Sequence, residues 1–255
     1  MKQFFIEDDG IKLNAMLDMP AAHVDKCPLC LVFHGFTGNS EEEHLEAVVK
    51  AMNKVGVATL RVDLYGHGKS GGEFKNHNIY KWLNNILTVA DYAKGLDFVT
   101  DLYICGHSQG GLAVTLAAAM EGSLFKAMIP MSPAYIIPSG ARAGWLLGKQ
   151  FDPDNIPDEI TEFDEFTLSG NYVKVAQTID VQKAINKYKG KVLLVHGDND
   201  ETIPVSVSVD AAKQFADCEL KIIVGADHCY IGQEQEAAEA VKNFLKKFIK
   251  YTLNN

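Results

Sequence analysis

Gly106-His107-Ser108-Gln109-Gly110 stands between an apolar run, Leu102-Tyr103-Ile104-Cys105, and a helix-forming stretch from Leu112 to Ala119. A Gly-x-Ser-x-Gly turn between strand and helix holds its serine in a strained backbone conformation, and the flanking glycines let the two elements approach without a side-chain clash. Ser108 is therefore the candidate nucleophile. A serine hydroxyl is a weak nucleophile, so a histidine must take its proton and a carboxylate must fix the tautomer of that histidine. His228 lies in the loop Gly225-Ala226-Asp227-His228 after the last apolar run, and loops beyond carboxyl strand ends gather catalytic groups in open α/β sheets. It is the expected base. His196 falls inside a strand terminus, and His107 is turned elsewhere by its neighbour's geometry. The loop Gly197 to Pro204 offers two acids, Asp198 and Asp200, which spacing alone does not separate. Asp227 is set aside because adjacent residues seldom point their side chains at each other. Attack on a carbonyl also needs N–H donors for the developing oxyanion. The amide of Gln109, at a helix start, and that of Phe36, in the loop His34-Gly35-Phe36-Thr37-Gly38, are the expected pair.

Positioning these groups requires a particular order of elements. Gln3 to Ile6 and the alternating Ile11, Leu13, Ala15 and Leu17 flank Asp9-Gly10, which reads as a hairpin. Short apolar runs then recur at 31–33, 57–60, 102–105, 127–129, 192–195 and 222–224, as expected of strands buried on both faces of a parallel sheet. Helices fall between them. Ser40 with Glu43 reads as a capping box before Leu45, Val48, Val49, Met52 and Val55; a second helix starts near Asn78, and the last carries Val241, Phe244, Leu245 and Phe248. The prediction is an α/β fold: a mostly parallel, twisted sheet of about eight strands with helices on both faces. Residues 133–180 break the rhythm with no clear buried strand, so residues 1–132 and 181–255 form the expected core and 133–180 an inserted cap. Between Phe151 and Phe166 that insert carries seven acidic residues and no basic one. Trp145, Phe151, Phe163, Phe166 and Tyr172 either line a pocket mouth or make the insert's own small core.

With a net charge of −9 and no clustered Lys or Arg, the chain is a poor ligand for nucleic acid. The first ten residues are too acidic for a secretory signal, and nothing approaches a membrane span. Five cysteines, at 27, 30, 105, 218 and 229, suit reduced thiols and a cytoplasmic location. Cys27 and Cys30 have metal-site spacing but no second pair follows, so no metal and no cofactor is expected. The expected partner is a small-molecule ester, and a homodimer is compatible with the sequence.

The whole chain resembles the α/β-hydrolase superfamily, in which acid and histidine follow the serine in that order. The loop at 197–204 is similar to the superfamily's Gly-x-x-Asp-x-x-(Val/Ile)-Pro pattern, and that resemblance selects Asp200. His-Gly-Phe-Thr-Gly at 34–38, Gly-His-Ser-Gln-Gly-Gly at 106–111, Met-Ser-Pro-Ala at 131–134, Gly-Asn-Tyr at 170–172 and the run 196–204 resemble the cinnamoyl and feruloyl esterases of gut bacteria. The resemblance implies a fold with a small cap, no cofactor, and hydrolysis of hydroxycinnamate, short aryl or short acyl esters through Ser108, His228 and Asp200. It implies that the insert shapes the acyl pocket, with Tyr172 placed to meet a phenolic hydroxyl; from the insert's aromatics, Trp145 and Phe163 are the further expected substrate contacts. A serine peptidase or acyl-aminopeptidase and a monoacylglycerol lipase share this machinery. A hydrolase-fold ligand receptor without turnover is the reading from another class.

Overall fold

The computed structural model describes residues 1–20, 25–146, 148–162 and 166–249. Strands β1 (Lys2–Asp8) and β2 (Ile11–Asp18) pair antiparallel across Asp9 and Gly10, whose φ angles of 48° and 79° match the left-handed pair a tight two-residue hairpin requires. The chain then lays down β3 (Cys27–Phe33), β4 (Ala58–Val62), β5 (Val99–His107) and β6 (Phe125–Met131). Two further sheet strands, which are β11 (Lys191–Gly197) and β12 (Cys218–Ile223) in chain order, complete an eight-stranded sheet of order β1-β2-β4-β3-β5-β6-β11-β12. From β4 to β12 every neighbouring pair is parallel.

Alternate residues of each strand feed opposite cores, as the two-residue pleat demands. Leu29, Leu31, Phe33, Leu60, Val62 and Ile104 pack under α2 (Ile79–Lys94) and α3 (Gln109–Glu121). Cys30, Val32, Cys105 and Val195 face α1 (Glu43–Asn53) and α8 (Glu234–Lys246) on the other side. The apolar runs thus sit where strands covered on both faces must sit. The last run is the exception: Val224 lies outside β12 and is 73% exposed, because β12 is an edge strand that alternates instead of burying both faces.

Asn78 caps α2 by accepting the Lys81 N–H, as its sequence position suggests. The capping box at Ser40 does not form. Helix α1 begins after Glu42, which makes no side-chain cap bond, and Ser40 is instead drawn toward Asp63, whose Oδ1 accepts its N–H at 2.7 Å. The buried Asp63 carboxylate also takes the Lys69 N–H and the Asn14 amide, so the turn at 63–70 is held by one side chain.

Residues 133–180 contribute no strand to the main sheet among the described residues. They form α4 (Ile136–Arg142), the hairpin β7–β8 (Trp145–Leu146, Lys149–Gln150), the hairpin β9–β10 (Glu159–Glu162, Phe166–Ser169) and α5 (Gly170–Gln177). Helix α6 (Val181–Lys187) returns the chain to α3, and α7 (Ser206–Ala212) follows β11. No helix among the described residues is long and apolar enough to cross a membrane.

Candidate active site

Ser108 sits at the turn from β5 into α3 with φ 54° and ψ −119°, outside the regions favoured by L residues. Three backbone bonds hold it there: its N–H donates to the Met131 carbonyl at 2.8 Å, and its carbonyl accepts from Leu112 at 3.1 Å and Ala134 at 3.0 Å. The glycines around it are required by space. A Cβ on Gly106 would strike the Gly110 carbonyl, and one on Gly110 would strike that of His34. The strand, the helix and the 34–38 loop therefore meet as bare backbone.

The structure brings together the three side chains on which the sequence reading converged. The Ser108 hydroxyl lies 2.9 Å from His228 Nε2, and His228 Nδ1 lies 2.7 Å from Asp200 Oδ2. A carboxylate beside Nδ1 makes that nitrogen the donor, which leaves Nε2 as a bare acceptor for the serine proton. Asp200 is 8% exposed, and its second oxygen, Oδ1, accepts the N–H groups of Thr202 and Ile203 at 2.9 and 2.8 Å. Burial pushes this carboxyl up, but hydrogen bonds from His196 and His228 outweigh burial and hold it well below the usual carboxylate range. Asp198 instead takes the Gly225 N–H at 2.5 Å, tying the β11 loop to the loop that carries His228. Asp227 caps its own loop through the N–H groups of Cys229 and Ile231.

His196 is a positioning residue that the sequence reading left inside a strand end. Its Nε2 points at both Asp200 Oδ2 (3.1 Å) and the Ile203 carbonyl (3.0 Å), while Nδ1 meets the Ser208 hydroxyl of α7 at 2.7 Å. It was hard to find because only the four-residue step from 196 to 200 hints at it. His107 stays outside the triad: its Nε2 donates to the His228 carbonyl at 2.8 Å. The amides of Phe36 and Gln109 are spent on no backbone carbonyl among the described residues, and both residues border the space above Ser108.

That space is a cavity of about 340 Å³, within the usual range for small-molecule sites. Phe36, Ala134, Ile137, Phe166 and Ile203 give it apolar walls, and Glu42, Thr37, Thr202 and Cys229 add polar groups. Burial pushes the Glu42 carboxyl up to about 7 and the Cys229 thiol up to about 11. Two expected substrate contacts are corrected. Tyr172 is fully buried, does not line the cavity, and donates its hydroxyl to Gln109 Oε1 at 2.5 Å, so it has no hydroxyl to offer a phenol. Trp145 lies on β7, 37% exposed and away from the cavity wall, because its short hairpin turns it outward. Phe163 lies outside the described residues. Among the described aromatics of the insert, Phe166 is the one that reaches the cavity, its ring centroid 4.7 Å from that of Phe74 and tilted 42° to it.

Behind the 34–38 loop, His34, His67, His77 and Trp82 pack ring against ring. Burial pushes His34 and His77 down to about 3 and His44 down to about 4. Below the ordinary histidine value near 6.5 the unfolded chain takes up protons that the fold refuses, so stability falls with pH toward about 4. Each of the three should cost about 1 kcal/mol between pH 7 and pH 5.5, and Glu42, shifted in the opposite sense, offsets somewhat more than one of them. Urea unfolding at the two pH values is expected to show a net loss of at least about 2 kcal/mol, since the buried His67 and His107, also pushed down, add to it. An unchanged midpoint would contradict neutral burial of these imidazoles.

Several known proteins resemble this chain. A family model described as serine aminopeptidase, S33 matches residues 25–152. The crystallographic neighbour Est1E from Butyrivibrio proteoclasticus, solved with ferulic acid bound, is 57% identical, with a TM-score of 0.94 over 96% of this chain and 98% of its own. A second Est1E structure gives 54% identity and a TM-score of 0.91 with the same coverage. A monoglyceride lipase homolog of monkeypox virus is 24% identical, spanning 87% of this chain and 90% of that protein. The chain accordingly belongs to the serine aminopeptidase S33 family of α/β hydrolases.

Proposed function

We propose that the protein is a serine carboxylesterase that cleaves hydroxycinnamate-type esters, along with short aryl and acyl esters, through an acyl-enzyme. The observation that carries this reading is the similarity to Est1E, whose structure holds ferulic acid, joined to an apolar-walled cavity that opens on Ser108. In the proposed reaction the Ser108 oxygen attacks the ester carbonyl while His228 takes its proton, and Asp200 stabilises the imidazolium. The Phe36 and Gln109 amides bind the oxyanion, and His228 then protonates the departing alcohol. Water, activated by the same imidazole, releases the acid.

Residues 133–180 act in this reading as a cap, with Phe166 and Ile137 as the walls that an aromatic acyl group meets. The family description raises a peptidase instead, which needs an anchor for a peptide amine. Glu42 is the one carboxyl on the cavity wall among the described residues, and burial works against its charged form, so a peptide amine meets a single weak anchor there. A cytoplasmic setting is in keeping with five cysteines that are free.

Relative kcat/KM for methyl ferulate, methyl caffeate, p-nitrophenyl butyrate and a peptide p-nitroanilide tests the assignment. The two hydroxycinnamates are expected to be turned over at least about 10-fold more efficiently than the butyrate, the scale of one or two well-filled apolar contacts. Anilide turnover above all three esters would replace the esterase reading with a peptidase.

A further inference from the structure

One cluster beside the cavity is used by none of this chemistry. Glu42 Oε2, His44 Nε2 and His107 Nδ1 are all buried, and none has a hydrogen-bond partner. One possible ligand atom from each of the three residues lies within 4.8 Å of those of the other two. His44 and His107 are 4% and 2% exposed, with ring centroids 4.3 Å apart. Buried polar atoms without a partner are costly, and three on residues this close together call for a shared occupant.

Their protonation states narrow what could sit between them. His107 Nε2 donates to the His228 carbonyl, so a neutral His107 must present Nδ1 as a bare lone pair. Donating the remote ring N–H to a carbonyl is the arrangement that orients metal-bound histidines. Two imidazoles and one carboxylate are a donor set for zinc-class cations; magnesium and calcium prefer six or more oxygens. Ligands of a tetrahedral site with bonds of about 2.0–2.1 Å lie about 3.3 Å apart, so side-chain rotations of up to about 1.5 Å would close the cluster. Glu42 and His107 both line the catalytic cavity, which supplies an entry path and a free fourth position.

We propose that Glu42, His44 and His107 bind one divalent cation of the zinc class at the wall of the catalytic cavity. The sequence did not suggest it, because Glu42 and His44 are separated from His107 by the strands β4 and β5 and the helix α2, and the Glu-x-His step alone is common on exposed helices. The site does not depend on the esterase reading.

Cobalt serves as the probe. The full-length protein is stripped with a chelator, exchanged into chelator-free buffer and titrated with Co²⁺, and the visible bands of four-coordinate cobalt are followed. One saturable equivalent displaced by Zn²⁺ is expected, with Glu42→Gln and His44→Gln each weakening it more than about 100-fold, since even supporting residues around metal ligands are worth 10–100-fold. Should either variant fold poorly, nitrogen NMR of ¹⁵N-histidine-labelled wild type keeps the test open. Zinc must then shift the rings of His44 and His107. Absence of a saturable equivalent, equal affinity in folded variants, or shifts confined to the other six histidines would overturn the proposal and leave an ordered water as the occupant.

Discussion

Ser108→Ala is expected to lower kcat/KM for methyl ferulate by at least about 10⁴-fold, with KM little changed. Removing the nucleophile of a serine triad leaves only binding and oxyanion stabilisation, which sustain a small residue of catalysis over water. The substitution should be clean. The Ser108 hydroxyl makes one hydrogen bond, to His228, while the strained backbone is held by amide and carbonyl contacts that alanine keeps. The positive φ is already endured by a residue with a Cβ, so the fold should lose no more than about 1 kcal/mol. Steady-state rates paired with a denaturant melt separate the two effects. Wild-type turnover by the alanine variant would remove Ser108 from the mechanism.

Asp200→Asn is expected to cut kcat by about 10⁴-fold, the scale on which tautomer control matters in a serine triad. The local bonding leaves asparagine no good pose. Oδ1 accepts two backbone N–H groups, from Thr202 and Ile203, so the amide nitrogen must occupy the Oδ2 position. There it confronts the N–H donors of both His196 and His228. His228 would turn over to the tautomer protonated at Nε2, which cannot accept the serine proton. Asp198→Asn is the control, because Asp198 bonds the Gly225 amide and does not reach the imidazole. A loss of less than 10-fold there, against about 10⁴-fold at 200, is the expected contrast. Equal losses at both positions would mean that loop geometry, not tautomer control, governs the rate.

Much of the architecture was legible because it rests on local rules. Asp9-Gly10 needs two left-handed residues, Gly106 and Gly110 need the absence of a Cβ, and unbroken apolar runs need cover on both faces. Ser108, His228 and the loop that carries the acid were legible because each follows a strand at the carboxyl edge of the sheet, whereas the choice of Asp200 over Asp198 came only from the resemblance to the α/β-hydrolase loop pattern. What failed depended on contacts between distant segments. Ser40 looked like a cap until Asp63, 23 residues on, was seen to claim its amide. Tyr172 looked like a pocket residue, yet its hydroxyl finds Gln109, 63 residues earlier. Trp145 and Phe166 could not be ranked from composition, because only the turning of two short hairpins decides which aromatic faces inward. His196 shows the same limit, for its role is set by Ser208 and Ile203 closing around it.

The bond from Tyr172 to Gln109 makes the insert something other than a detachable module. Helix α5 is fastened by a single phenol to the residue that follows the nucleophile, so any exchange of 133–180 for the equivalent stretch of a relative also rewrites the underside of the serine turn. A chimera whose donor lacks a tyrosine at that place would strand the glutamine side chain in a dry interior. Point changes on the cavity wall, at 137 and 166, leave that bond in place, whereas exchange of the whole segment does not.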